Sequence, residues 1–223
     1  MRRRGARSPI PWLGALWLGG CAGAAVAHEP VVAIVLDDLG PGWRQGRRAV
    51  TLPGAVTCAF LPHTPHAQGL ARLAHAEGKE VMLHLPMQPV DARPLGPGGL
   101  ILDMTRAAFV RRLRDDLRAV PHVRGVNNHM GSLLTRHPGH MAWLMRELGR
   151  GRLYFVDSRT TAATVARRLA RERGVRNTER DVFLDNRRSP GAIRAQLHAL
   201  LAQARRRGTA TAIGHPYPET LAV

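Results

Sequence analysis

Seven short apolar runs, each closed by a polar residue and followed by a segment of helical character, constrain this chain more than any other feature. The runs are Val31–Leu36, Ala55–Phe60, Glu80–Leu83, Val123–Val126, Leu153–Val156, Val182–Leu184 and Thr209–Ile213. They are nearly continuous in apolar character, as strands covered on both faces tend to be. Strands that alternate with helices form a parallel sheet, and seven of them are enough to curl into a barrel.

The intervening segments carry helix punctuation. Thr64-Pro65 reads as an N-cap with proline at the first helical position, and Gly78 closes that helix. Thr105 opens a second, with Phe109, Leu113 and Leu117 recurring every fourth residue. Pro138 starts a third that ends near Gly149, and Thr161 to Arg173 gives a fourth, stopped by Gly174. Ser189-Pro190 caps a fifth, with Ile193, Leu197, Leu200 and Leu201 on one face and Gly208 after it.

The carboxyl ends of the strands are chemically alike. They carry Asp37-Asp38, Pro62-His63, His84, Asn127-Asn128-His129, Asp157-Ser158-Arg159, Asp185-Asn186 and His215. In a parallel α/β barrel all carboxyl ends of strands open on one rim, so these residues are expected to converge there. A lone histidine is most often a hydrogen-bonded structural residue. Several of them beside two aspartates, at corresponding strand ends, point instead to a metal. A carboxylate and two imidazoles suit Zn²⁺ and related ions and leave a position for water. One of two adjacent carboxylates can then bind the ion while the other acts as base.

Residues 1–27 have the layout of a secretory signal peptide. Four arginines lie within Met1–Arg7, an apolar stretch with Trp12, Leu13, Leu16, Trp17 and Leu18 comes next, and Ala25-Val26-Ala27 is a small-x-small cleavage site. Leu18-Gly19-Gly20-Cys21 offers the alternative of a lipoprotein box, with a membrane anchor on Cys21. An exported, periplasmic protein comprising residues 28–223 is expected. The formal charge is +17, and removing the four leader arginines leaves +13, nearly all arginine. These arginines read as solvated helix faces or as an attraction to polyanions. Export and the scarcity of aromatic residues argue against nucleic acid. Cys58 is the only cysteine beyond the leader, so no internal disulfide is expected, and its apolar neighbours mark it as core.

The segments 34-IVLDDLG-40, 59-AFLPHTPHA-67, 78-GKEVMLHLPMQP-89, 125-GVNNHMGS-132, 155-FVDSRT-160 and 213-IGHPYPET-220 together resemble the divergent polysaccharide deacetylases, relatives of the NodB-type carbohydrate deacetylases. The resemblance covers residues 31–221 and implies an α/β fold, a distorted (β/α) barrel of about seven parallel strands. It implies Asp37 as catalytic base and Asp38 as metal ligand. His84 matches the first histidine of a His-x-x-x-His pair, but position 88 is Gln88, and His129 is the expected replacement ligand. His215 resembles the late histidine that acts as acid, and Asp157 the aspartate that orients catalytic groups. His63, Asn128 and Arg159 are candidates for holding substrate. Members of the family continue past the segment ending at Thr220, so a barrel that is open or truncated at the carboxyl end is expected.

The first functional expectation is a metal-dependent deacetylase, zinc being the first candidate ion, acting on an N-acetylated envelope glycan or peptidoglycan. A non-catalytic envelope protein that binds glycan or a protein partner is the alternative, favoured by Gln88. A glycosidase with Asp37 and Asp157 as paired carboxylates leaves the histidines unexplained. The proline- and glycine-rich segment 86–103 comes after the third strand and is expected to overhang the rim and shape a substrate groove.

Overall fold

The computed structural model describes residues 29–223; the expected signal peptide, its cleavage site and Cys21 lie outside the described residues. The elements run β1 (Val31–Leu39), α1 (Trp43–Val50), β2 (Thr57–Phe60), α2 (Ala67–Ala76), β3 (Glu80–Met87), α3 (Arg106–Ala119) and β4 (Gly125–Met130). A 3-10 turn (Leu134–Arg136) leads to α4 (Pro138–Arg150), then β5 (Tyr154–Asp157), α5 (Ala166–Glu172), β6 (Asn177–Glu179), β7 (Val182–Phe183), α6 (Pro190–Arg207) and β8 (Thr209–Gly214). All strand pairings are parallel, in the order β6-β5-β4-β3-β2-β1-β8-β7.

The two edge strands are consecutive in sequence, and this forces the sheet to curl. Laid flat, eight strands would put β6 and β7 about 34 Å apart, at about 4.8 Å per step. Glu179 and Val182 are three Cα steps apart, a reach of at most about 11 Å. The chain crosses the seam at Arg180-Asp181. The Arg180 amide donates to Asp157 O on the β5 side (2.9 Å) and the Asp181 amide to Thr211 O on β8 (2.8 Å). The sheet is thus an open, distorted barrel. Its opening falls between β6 and β7; the last strand, β8, is paired on both sides. The strand count is eight rather than seven, because β6 is the polar tripeptide Asn177-Thr178-Glu179 and carries no apolar signal.

Period-two alternation sorts the apolar runs into two layers. Val35, Ala59, Met82, Val156 and Ile213 point inward and fill the barrel. Leu36, Cys58, Phe60, Val81, Leu83, Val126 and Phe155 point outward into the main core with the helices. Burial pushes the Cys58 thiol up to about 12, as suits a core residue. A second outer cluster joins β7 and β8 to Leu200 and Ala204 of α6.

Three helix ends show the expected chemistry. Thr105 Oγ1 accepts from the Ala108 amide and Ser189 Oγ from the Ala192 amide, while Gly208 ends α6 with φ 81°. Two differ. The Thr64 hydroxyl donates to Leu61 O instead of capping, so α2 begins at Ala67. Residues 161–165 form a turn because Thr164 is bonded to Asp157, and α5 starts at Ala166. Helix α1 carries no side-chain cap and an interior glycine. Gly46 is needed there: a Cβ would lie 2.3 Å from Leu70 Cδ1 of α2.

Candidate active site

Two residues beyond the inner apolar layer, alternation brings the next inward positions to Asp37, His84, Ser158 and His215. The register pairs His84 with Asn127, and His129 is the next inward position on β4. A polar floor therefore lies directly on an apolar plug.

Asp38 should by the same rule face outward. It does not, because β1 carries a bulge: Leu36 pairs with Cys58 but Leu39 pairs with Phe60, so one residue is extra. The extra residue is Asp38, with φ 57°. Leu39 takes the outward position and is buried, and both carboxylates lie on the barrel mouth. Aspartate tolerates left-handed backbone better than most residues, at a cost of about 1 kcal/mol.

The hydrogen-bond network fixes which atoms face the cavity. Asn127 Nδ2 donates to Asp37 Oδ1 (2.7 Å), so Asn127 Oδ1 is left to accept from His84 Nδ1 (2.8 Å). That bond places the neutral His84 proton on Nδ1 and leaves Nε2 as a lone pair. His84 Nε2 lies 3.2 Å from Asp38 Oδ1 and 3.0 Å from His129 Nδ1, which is itself 3.0 Å from Asp38 Oδ1. On the other side of the cleft, His215 Nδ1 is held by Asp185 Oδ1 (2.9 Å), and Thr220 Oγ1 and the His215 amide bond Asp185 Oδ2. His215 Nε2 thus points inward, 3.8 Å from Asp38 Oδ2.

The electrostatics favour positive charge at the centre. Burial raises the Asp37 carboxyl above its ordinary value, and His84 and Asn127 offset this only in part. Burial acts on Asp38 too, but the imidazoles of His129 and His84 beside it outweigh burial and hold that carboxyl well below the usual carboxylate range. Burial disfavours the His84 imidazolium, yet Asp37, Asp38 and Asn127 together push His84 up to about 9. For His215, burial is outweighed by Asp185 and the pKa is raised; the Asp185 carboxyl is correspondingly lowered, its burial overcome by the bonds from His215.

A metal fits these residues. Asp38, His84 and His129 each present one ligand atom, all within 4.8 Å of one another. His84 Nε2 and the carboxylate oxygen face each other at 3.2 Å, and Asp38 Oδ1 is buried without a properly directed hydrogen-bond donor among the described residues. Convergent donor atoms of this kind are satisfied by a positive charge between them, a proton on the imidazole or, in its place, a metal ion.

Of the other sequence candidates, Asn128 lines the cleft, with Oδ1 accepting from the Ser158 amide and Nδ2 donating to Met130 O. Asp157 does not reach His215. Its oxygens accept from the Arg159 amide (2.9 Å) and the Thr164 hydroxyl (2.8 Å). His63 is turned to Asp116 on α3 (2.9 Å), and Arg159 to Glu179 (2.9 Å). Neither lines the cleft of about 340 Å³ around Asp37 and His215. Two site residues escape a reading of the sequence: Asn127 as a bridge and Asp185 as the partner of His215. Both stand at strand ends, but only the sheet order reveals which strand ends are neighbours.

Segment 86–103 folds over the rim. The Gln88 amide donates to Leu100 O (2.9 Å) and the Gln88 side-chain carbonyl accepts from the Leu102 amide (2.7 Å). Position 88 therefore anchors this loop, and Pro89 and Arg93 from it line the cleft.

The family model for divergent polysaccharide deacetylases matches residues 34–223, a span that includes every residue from Asp37 to His215. An uncharacterized protein of Haemophilus influenzae is 38% identical over 192 residues, which cover 86% of this chain and 69% of that protein. The uncharacterized protein YibQ of Escherichia coli is 40% identical over 192 residues, 86% of this chain and 60% of YibQ. The crystal structure of an uncharacterized protein from Agrobacterium tumefaciens has a TM-score of 0.84 and 26% identity, over 89% of this chain and 82% of that one. The chain belongs to the divergent polysaccharide deacetylase family.

Proposed function

We propose that this protein is an exported, periplasmic hydrolase that removes acetyl groups from an N-acetylated envelope polysaccharide, using a divalent metal with zinc as first candidate. The observation that carries this reading is the convergence of Asp38, His84 and His129 on one point, with Asp37 on one side and the His215–Asp185 pair on the other. A divalent ion held by Asp38, His84 and His129 would acidify a bound water and polarise the amide carbonyl.

The chain's own groups supply the proton transfers. Asp37, raised by burial and steadied by Asn127, takes the proton of the attacking water. His215 is held by Asp185 with Nε2 inward, and Asp185 favours its charged form against burial, which suits it to deliver a proton to the departing amine nitrogen. Asn127 ties the two halves together, since one amide orients both Asp37 and His84.

The test is acetate release from N-acetylated glycan oligomers, run beside metal content, for the wild type and Asp38→Asn. The wild type should bind one ion and release acetate; the variant should lose both. A metal-loaded wild type that releases no acetate from any N-acetylated envelope glycan would leave the non-catalytic binding reading in its place.

A further inference from the structure

The outer helices divide the molecule into two unlike halves. Helices α6, α1 and α2 pack on the run of strands from β7 through β8 and β1 to β3, and α3, α4 and α5 pack on β3, β5 and β6. Helices α1, α2 and α6 hold eight arginines and not one aspartate or glutamate. Each of α3, α4 and α5 carries carboxylates, and arginines there are paired with Asp115, Glu147, Glu172 or Glu179. On the other half, among the described residues, only Arg207 at the end of α6 has such a partner, Asp181. The two large apolar side chains that the described helices expose also lie on this half: Trp43 of α1 (45%) and Leu201 of α6 (42%).

Helix α1 concentrates this character. It buries Gly46, Ala49 and Val50 and turns Trp43, Arg44, Arg47 and Arg48 to solvent. These four residues and Thr51 border a shallow cleft of about 520 Å³. The Trp43 ring is fixed at its inner edge: it meets the His66 ring edge-on, with centroids 5.9 Å apart, and lies over Gly69, where an added Cβ would stand 3.6 Å away. Three guanidinium groups want phosphate or carboxylate oxygens. A fixed, half-exposed indole wants a boundary between water and an apolar phase. A bilayer surface rich in anionic phospholipid offers both within a few ångströms. A second copy of the same face would set arginine against arginine. A polynucleotide needs a row of aromatic rings for successive bases, and Trp43 is the one aromatic residue bordering this cleft.

We propose that the α1 face docks on the surface of an anionic phospholipid bilayer, Arg44, Arg47 and Arg48 meeting lipid phosphates while Trp43 enters the headgroup layer. Helix α1 begins five residues after Asp38, at the carboxyl-end rim, so the contact lies beside the mouth of the barrel. The arginines of α2 and α6 add long-range attraction from either side. This contact is independent of the deacetylase reading and of any leader or lipid at the amino terminus.

The experiment is vesicle co-sedimentation of residues 28–223, which contain the whole sheet and its core clusters and leave out the apolar stretch around Trp12–Leu18 that could enter a bilayer by itself. Vesicles of phosphatidylglycerol and phosphatidylcholine in equal parts should bind the protein, and vesicles of phosphatidylcholine alone should bind it at least about tenfold more weakly. Replacing Arg44, Arg47 and Arg48 together by Gln should raise the lipid needed for half-binding by more than about tenfold, since each basic residue at such a surface is worth about fivefold. Replacing Arg106, Arg111 and Arg146 by Gln on the other half removes the same charge and should change it by less than about threefold. Thermal melts like that of the wild type show that both variants are folded. In a Trp143→Phe background Trp43 is the one indole of this chain, and brominated phosphatidylglycerol should quench it. Equal binding to both kinds of vesicle, equal loss in the two triple variants, or a Trp43 that stays unquenched overturns the proposal. Tight binding to soluble polyglutamate with no binding to vesicles also overturns it and assigns the face to an acidic protein.

Discussion

His84 and His129 stand at the carboxyl ends of β3 and β4, while His75 and His122 stand beside the amino ends of the same two strands. The upper rings meet edge-on, with centroids 4.8 Å apart and planes at 73°. The lower rings lie face to face, 3.9 Å apart at 10°. Edge-on contact brings nitrogens together, and Asp38 completes the set; face-to-face contact sets the nitrogens in parallel planes with no carboxylate joined to them in a three-ligand group. Two nearby histidines therefore do not make a site. The bulge that turns Asp38 inward does, together with Asn127, which leaves a lone pair on His84 Nε2.

The largest expected effect comes from this contrast. His84→Ala should reduce metal content to background and remove turnover with it, because three ligands are the minimum for such a centre. His75→Ala should leave both untouched. Metal analysis by mass spectrometry of the two purified variants decides it; equal loss in both would mean the ion sits elsewhere.

Next in size is Asp37→Asn. Its carboxyl is bonded to Asn127 and lies 3.6 Å from His84 Nδ1, outside the group of ligand atoms that Asp38, His84 and His129 bring together, yet it lines the same cleft. The variant should therefore retain metal while kcat falls about 10²–10⁴-fold, the usual contribution of a general base. Loss of metal from Asp37→Asn would break the division of labour between the two aspartates.

The parallel sheet and the polar strand ends, Asp37-Asp38 among them, were legible because they rest on local pattern: aliphatic runs, strand-end polarity and helix caps; Asp38, His84 and His129 were singled out as a set by the family resemblance, and the structure brings their side chains together. What was not legible depends on non-local geometry. Asp157 and Asp185 look alike in sequence, each closing a strand, yet β7 neighbours β8 and so Asp185 meets His215. Asp157 is separated from β8 by the seam and serves its own turn. Strand β6 has no apolar residue to announce it, and helix α1 is held by the close approach of Gly46 to α2, not by a cap. The bulge at Asp38 leaves no trace in composition.

A third pairing sharpens the comparison. His63, like His84, touches a buried carboxylate, Asp116, but one without a second histidine. One Asp116 oxygen has no hydrogen-bond partner, and burial pushes the carboxyl up to about 7 against the pull of His63. A raised folded-state value means that the protonated acid favours the fold. That stability is fully present below the unfolded value near 3.8 and is lost as pH rises through about 7. Between pH 4 and pH 8 the wild type should lose stability relative to Asp116→Asn by up to about 4 kcal/mol, since each of the roughly three pH units by which the fold raises the carboxyl corresponds to about 1.4 kcal/mol. Denaturant melts of both proteins at the two pH values measure it. A difference that does not change with pH would mean that Asp116 ionises as freely in the fold as out of it.

The smallest effect should come from the lower pair itself. His122 has φ 65°, a left-handed backbone that costs a side-chain-bearing residue about 1 kcal/mol. Its stack on His75 returns about 0.5–1.5 kcal/mol, less at an exposed position than in a core. His122→Gly removes the strain and the stack together, so the two terms should cancel to within about 0.5 kcal/mol. His122→Ala removes the stack but keeps the strain, and should be the less stable of the two variants. Metal content and acetate release should match the wild type in both, since neither touches the carboxyl-end rim. If His122→Gly instead lowered metal content, the two ends of the sheet would be coupled, and the separation between a histidine pair that binds and one that only packs would fail.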